Sequence, residues 1–203
     1  MLADQERRHM LNESRMYVSG FTLIELLITV FIFAIVASFA VPSFSVLIQN
    51  TRIRTSAESI QNGIQLARAE AVKRNVPVRF ELAANSRWEV KCVTVIGDLN
   101  GDGEDDCPAV IQERTVGEGS ASSIVATADP GSATELVFNG LGRLTSLAGG
   151  VAPPNLVTIN VDIDPAILPP DQSRDLRILV GIGGNTRMCD PNPAIPATDP
   201  RAC

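Results

Sequence analysis

The chain carries near its amino terminus the stretch Ser19-Gly20-Phe21-Thr22-Leu23-Ile24-Glu25-Leu26-Leu27. Glu25 is the one charged residue in a predominantly apolar run over residues 21–41. A carboxylate inside a segment of that length costs about 2.5 to 3.5 kcal/mol on membrane-insertion scales, so a cationic partner and a function are expected for it. Because the run contains no lysine or arginine, the best candidate for this partner is a new amino terminus, made by cleavage between Gly20 and Phe21.

Two simpler interpretations compete with this one. The run has 21 residues, and a helix of that length reaches about 30 Å, as an ordinary transmembrane anchor does. Alternatively, it is a secretory signal peptide with Ser38-Phe39-Ala40 as the small-residue cleavage site. Neither alternative explains Glu25, and the run is longer than a signal h-region, which has about 7 to 15 residues.

The segment 20–26 resembles the class III signal of type IV pilins and pseudopilins. This resemblance implies that a prepilin peptidase cuts between Gly20 and Phe21 and N-methylates the new terminal Phe21. We expect Glu25 to act in assembly, by pairing with the terminal amine of an adjacent subunit. The family fold that the resemblance implies is one long N-terminal helix and an antiparallel sheet.

Residues 1–20 form the predicted leader, which carries three arginines and three acidic residues. Positive charge before the span favours a cytoplasmic amino terminus and an exported carboxyl terminus. Met10 and Met16 are alternative starts, but a start at Met16 would remove every arginine of the leader. We therefore favour Met1 or Met10 as the first residue.

The remaining chain is acidic and poor in catalytic side chains. It keeps 14 of the 17 basic and 20 of the 23 acidic residues, which leaves the net charge at −6. Such a balance argues against a general polyanion binder. The one histidine, His9, lies in the leader, and no paired carboxylates stand on a recognisable frame, so we expect a protein that is not an enzyme and needs no cofactor.

All four cysteines follow the span, on the side expected to be exported. Three pairings are possible, but the short separations favour Cys92 with Cys107 and Cys189 with Cys203. In the chain-entropy model each closed loop contributes about 3 kcal/mol. Free buried thiols and a zinc site are the alternatives, and the chain has no CxxC pair to support zinc.

The apolar run is predicted to open a long helix that is kinked by Pro42, continues to about Arg74 and is stopped by Asn75 and Pro77. Its second half has apolar residues at helical spacing, which predicts a stripe packed on a sheet. The stripe consists of Ile53, Ala57, Ile60, Ile64, Ala67 and Ala71. The expected organisation is a leader over 1–20, a membrane or filament-core half-helix over 21–44, an amphipathic half-helix over 45–75 and a β-rich periplasmic domain over 76–203.

From residue 76 onward, short β-branched runs alternate with turn residues. The fold class is therefore predicted as α+β, with one antiparallel sheet on the helix and an irregular tail over residues 188–203. The predicted strands cover residues 76–82, 88–95, 109–116, 122–127, 135–139, 156–163 and 176–182.

The carboxyl-terminal residues 187–191 and 196–203, together with the helix end over 65–74, resemble FimU-type minor pilins within the wider FimT and GspH group. FimT relatives take up DNA through C-terminal arginines, which makes Arg143, Arg187 and Arg201 the candidate DNA contacts. Asp190 and Asp199 flank two of these arginines, so structural salt bridges are the favoured interpretation and nucleic-acid binding is not expected.

Two glycine-containing loops have features of ligand sites. Asp98, Asn100 and Asp102 stand at alternate positions of a loop with glycine at its sixth position, as in the first half of a calcium loop. Ala109 occupies the twelfth position, where a bidentate glutamate belongs, so a solvated hairpin loop is the favoured alternative to calcium. Residues 181–184 lack the GxGxxG spacing of a nucleotide site and predict a bulge or turn.

The resemblance predicts a minor pilin of a type IV pilus, a non-enzymatic subunit that primes assembly at or near the tip. Its expected partners are prepilin peptidase, other minor and major pilins and the inner-membrane assembly platform. It would be a single-pass inner-membrane protein with a periplasmic domain before incorporation into an extracellular pilus. The alternatives are a GspH-like minor pseudopilin of type II secretion and a FimT-like DNA receptor for natural transformation.

Overall fold

The computed structural model describes residues 20–99, 101, 103, 105–115 and 122–203, with the backbone alone at residues 39–42. Residues 1–19 of the predicted leader and the loop residues Asn100 and Asp102 lie outside this set. The chain divides into two units, Met1–Pro42 and Ser43–Cys203. The described part of the first unit is helical from Leu23 onward.

Helix α1 spans Leu23–Arg74, so the prediction that it continues through Pro42 to Arg74 is confirmed. It ends where Asn75 takes a left-handed φ of 53°, a conformation that asparagine tolerates at the position after a helix. Taken alone, neither Leu23–Ser38 nor Ser43–Arg74 of the described chain is long and apolar enough to cross a membrane. The two segments together, joined across a bend, pass that test by length and composition.

The amphipathic half of α1 is buried in the second unit as the spacing predicts. All six stripe residues, Ile53 to Ala71, have 0% exposure. They join one hydrophobic core cluster with the inner faces of two antiparallel sheets. Because the stripe repeats at three- and four-residue intervals, its six residues lie on one side of the helix, and this side faces the core.

The strands form a five-stranded and a four-stranded sheet. The strands are β1 Val78–Leu82, β2 Trp88–Cys92, β3 Gln112–Arg114, β4 Ile124–Asp129, β5 Glu135–Phe138, β6 Leu144–Leu147, β7 Leu156–Ile163, β8 Leu176–Gly181 and β9 Thr186–Cys189. The first sheet has the order β3-β2-β1-β5-β6 and the second β4-β7-β8-β9. The backbone N–H of Leu144 in β6 donates to the carbonyl of Ile182 at 3.0 Å, which links the first sheet to the turn after β8.

The α+β class and the antiparallel pairing are confirmed, while the number of sheets is corrected from one to two. Each of the seven predicted strands overlaps an observed one, and β7 has the predicted bounds. The sequence prediction missed β6 and β9, which have only four residues each and lack a β-branched run. The tail was wrongly predicted to be irregular from residue 188, because Met188 and Cys189 pair with β8.

Candidate functional site

The predicted processing site lies just before the first turn of α1. Gly20 and Phe21 precede the helix, and the Phe21 side chain is 78% exposed. Thr22 caps the helix, because its Oγ1 accepts the backbone N–H of Glu25 at 3.2 Å. The sequence analysis missed this role of Thr22, although Thr22 and Glu25 have the spacing of a capping box. The predicted cleavage bond between Gly20 and Phe21 therefore lies outside the helix.

Glu25 lies exposed in the first turn of α1, where the positive end of the helix dipole favours a carboxylate. Large apolar side chains surround it along the helix. They are exposed from Leu23 to Val36 within the first unit. An apolar surface of this extent requires a lipid or protein environment.

The two disulfides are the pairs that the short separations favour. Cys92 is bonded to Cys107 and Cys189 to Cys203. Arg74, at the end of α1, donates to the carbonyl of Asp106 beside the first bridge. The acidic loop is thereby fastened to the helix.

The candidate calcium loop is only partly described. The carboxylate of Asp98 accepts the backbone N–H groups of Gly101 at 2.5 Å and Gly103 at 2.8 Å. Within the described residues no group of three or more histidine, cysteine or acidic side chains is placed to hold a metal ion. Because Asn100 and Asp102 lie outside the described set, calcium binding at this loop stays a prediction.

Two of the three candidate DNA-contacting arginines make contacts within the tail. Arg201 forms a bidentate ion pair with Asp199, and its hydrogen bonds lower the pKa of that carboxyl to about 2. Arg187 donates to the carbonyls of Pro200 and Ala202 at 3.0 and 2.7 Å, so the proposed salt bridge to Asp190 is corrected to backbone contacts. The side chain of Arg143 is exposed.

The second sheet borders a polar cleft of about 930 Å³ that the sequence did not predict. Ser173 donates to Asp175, and its Oγ also lies 3.3 Å from Asp162 Oδ1. Burial, together with the neighbouring carboxylates of Asp162 and Asp190, raises the pKa of Asp175. No local sequence pattern could have located this group, because its members come from different strands and loops.

We expect Asp175→Asn to flatten the dependence of stability on pH. A raised pKa in the folded state means that Asp175 stabilises the fold below the ordinary carboxyl pKa, and that this contribution is lost as pH rises through the raised value. As pH rises from the ordinary carboxyl pKa through the raised value, the thermal unfolding midpoint of the unaltered protein should therefore fall relative to that of the variant. Asp171→Asn, an exposed change in the same loop, serves as control, and parallel curves for Asp175→Asn and the unaltered protein would contradict the assignment.

Comparison with curated protein sequences gives no match to this chain. Among solved structures, the chain is similar to the type IV minor pilin FimU of Pseudomonas aeruginosa strain PAO1, at 15% identity and a TM-score of 0.46 over 67% of this chain and 87% of that one. It is also similar to the minor pseudopilin EpsH from the type 2 secretion system of Vibrio cholerae, at 14% identity and a TM-score of 0.44 over 70% and 98% of the two chains.

Two family models match the sequence. The prokaryotic N-terminal methylation motif covers residues 15–41, which include Gly20, Phe21 and Glu25. The model described as type II transport protein GspH covers residues 56–184, more than half of the chain, from the buried half of α1 to the turn after β8. The chain therefore belongs to the GspH family and is a pilin or pseudopilin subunit of the GspH type.

Proposed function

We propose that this chain is a minor pilin of a type IV pilus, a non-enzymatic subunit that primes assembly at or near the tip. Prepilin peptidase cuts it between Gly20 and Phe21 and methylates Phe21. Before assembly it is a single-pass inner-membrane protein with the domain in the periplasm. Its later partners are other minor and major pilins and the assembly platform, which moves it into the extracellular filament.

One observation carries this proposal. The exposed apolar side chains of α1 begin directly at the methylation motif, and the same helix continues into the fully buried stripe of the domain. Such a helix needs one apolar environment before assembly and another afterwards. A bilayer supplies the first, and packed helices in a filament core supply the second.

The first test is the mass of the protein extracted from membranes. We expect an intact mass that corresponds to a chain starting at methylated Phe21. The cap at Thr22 leaves the Gly20–Phe21 bond outside the helix, where a peptidase can reach it. In a strain that lacks the prepilin peptidase gene, the protein should keep its full leader. A mature chain starting at Val41 would instead identify a secretory signal peptide and would end the pilin interpretation.

The match to the family of type II transport protein GspH favours one further candidate, a minor pseudopilin of type II secretion. Deleting the gene separates the two functions, since loss of surface pili with normal exoprotein secretion supports the pilus. Loss of secretion with normal piliation would assign the protein to the secretion system.

A further inference from the structure

Three aspartates from separate segments of the second unit meet in the polar cleft. Asp162 lies in β7, Asp175 directly precedes β8, and Asp190 directly follows β9. All three line the cleft, and Asp175 interacts electrostatically with the other two. Because the three belong to different segments, the distances between them depend on how the chain after β9 is held against the sheet.

The contacts of Ser173 indicate that this aspartate group holds a proton. Its hydroxyl donates to Asp175, and the same oxygen lies 3.3 Å from Asp162 Oδ1. A hydroxyl has only one proton to donate, so the second contact is a hydrogen bond only when a carboxyl proton is present. Burial, together with the neighbouring carboxylates, also raises the pKa of Asp175, which favours the protonated state.

The segment that carries Asp190 is attached to the sheet at its base. We call residues 190–203 the tail loop, which the second disulfide closes. The N–H of Asp190 donates to the carbonyl of Arg201 at 2.7 Å, and the side chain of Arg187 donates to two carbonyls near the far end of the loop. The hydrogen bonds over residues 192–199 close turns inside the loop itself. The position of the tail loop therefore depends on the contacts around Asp190.

The other charged residues of the cleft do not neutralise the aspartate group. Arg177 donates to Asn160 Oδ1 at 2.7 Å, and Arg201 pairs with Asp199, so within the described chain neither is ion-paired with a member of the group. Asp199, and after it Asp190, raises the pKa of Arg201, which in turn favours the charged form of Asp190. The β4 side of the cleft contributes no charge. The further charged residues that line the cleft are Asp164, Arg174, Arg177 and Arg201.

We propose that Asp162, Asp175 and Asp190 form a pH-sensitive latch for the tail loop, closed while the group holds its proton and open once that proton is lost. Loss of the proton leaves adjacent like charges, which repel. The strands β7 and β8 are central in the second sheet, whereas Asp190 follows the edge strand β9. The repulsion is therefore relieved by movement of the tail loop, which removes one wall of the cleft. The latch lies within the second unit and does not depend on the proposed function.

Proton linkage gives the direction and the size of the effect. The closed state, in which the pKa of Asp175 is raised, binds the proton more tightly than an open state with an ordinary carboxyl pKa. The closed state is therefore favoured at low pH, and this advantage is lost as pH rises through the raised value. Each unit of difference between the two pKa values changes the ratio of closed to open molecules by about tenfold.

The test is hydrogen exchange of the detergent-solubilised full chain, followed by mass spectrometry of peptides from the tail loop and from β7. The pH is varied from the ordinary carboxyl pKa of about 3.9 to neutrality, and each rate is divided by the intrinsic rate at that pH. Asp175→Asn and Asp190→Asn each remove one charge of the group and keep an acceptor oxygen. Asp171→Asn is the matched control, because Asp171 is exposed and does not line the cleft.

We expect the protection of the tail-loop amides in the unaltered protein to fall as pH rises, while β7 keeps its protection. Asp175→Asn and Asp190→Asn should keep the tail loop protected over the whole range, and Asp171→Asn should behave like the unaltered protein. An equal loss of tail-loop protection in the unaltered protein and in Asp190→Asn would overturn the latch. A parallel loss in β7 would also overturn it, because that result indicates unfolding of the whole domain. Since β7 reports folding in every sample, Asp190→Asn decides the outcome if Asp175→Asn does not fold.

Discussion

Glu25→Val should prevent the protein from entering sheared pili, while cleavage after Gly20 continues. After the proposed cleavage, the Glu25 carboxylate would lie four residues from the new amine of Phe21. An ion pair between this carboxylate and the amine of an adjacent subunit would form in the low-dielectric filament core, where removing one partner of a buried pair costs about 3 to 5 kcal/mol. The substitution removes the attraction and leaves the incoming amine unpaired.

Folding should be unaffected by this change. The cap at Thr22 uses the backbone N–H of residue 25, so it survives the loss of the carboxylate. Storage in the membrane should become easier, because a charge is removed from the apolar segment. The assay compares the protein in sheared pili with that in membranes by immunoblot, with Thr29→Val as a control that removes a polar side chain from the same helix. Normal incorporation of Glu25→Val would refute the assembly role.

Gly63→Ala should destabilise the domain, although alanine is the better helix former. A Cβ at this position would lie 2.8 Å from Cδ2 of Trp88 and 2.9 Å from Cε2 of Phe80. Both rings are buried, and the indole N–H of Trp88 donates to Ser59 Oγ at 2.9 Å, which limits how far the indole can move. Overpacking costs about 1 to 3 kcal/mol, whereas the gain in helix propensity is about 1 kcal/mol.

Asn62→Ala is the matched control for this prediction. Asn62 is the preceding residue of α1 and is exposed, so its replacement gains helix propensity without a steric conflict. Thermal unfolding of the detergent-solubilised full chain, followed by the fluorescence of Trp88, should place Gly63→Ala below the unaltered protein and Asn62→Ala at or above it. Gly63→Val should fall further than Gly63→Ala. Equal midpoints for Gly63→Ala and Asn62→Ala would show that the core accommodates the methyl group.

Local sequence patterns predicted the helix well but described its packing only in part. The six stripe residues were identified by spacing, because an α-helix places such positions on one face regardless of what covers them. Gly63 was not identified, since its importance depends on two aromatic rings that arrive from β1 and β2. In the same way, the turn chemistry of residues 181–184 indicated a turn, but β9 beyond it depended on pairing with β8.

The residues of the candidate site also divide into those that a local sequence pattern located and those whose contacts depend on the fold. Gly20, Phe21 and Glu25 were located from a contiguous motif, because a linear motif can be recognised without knowledge of the fold. The contacts of Arg187 with the tail carbonyls and the group around Asp175 were not predicted. Their distances depend on how strands and loops are arranged, and the amino-acid composition does not specify that arrangement.

The sequence by itself determined the processing motif, the long helix with its lipid-like and amphipathic halves, the α+β class and the favoured disulfide pairs. These features depend on residues that are close along the chain, where periodicity and short loop closure decide the outcome. Only the tertiary structure decided the division into two sheets, the pairing of the tail with β8 and the attachment of the loop over residues 164–174 to Asn50. Asn50 and Gln172 are 122 residues apart, and a contact of that kind forms only when the core has brought both segments together.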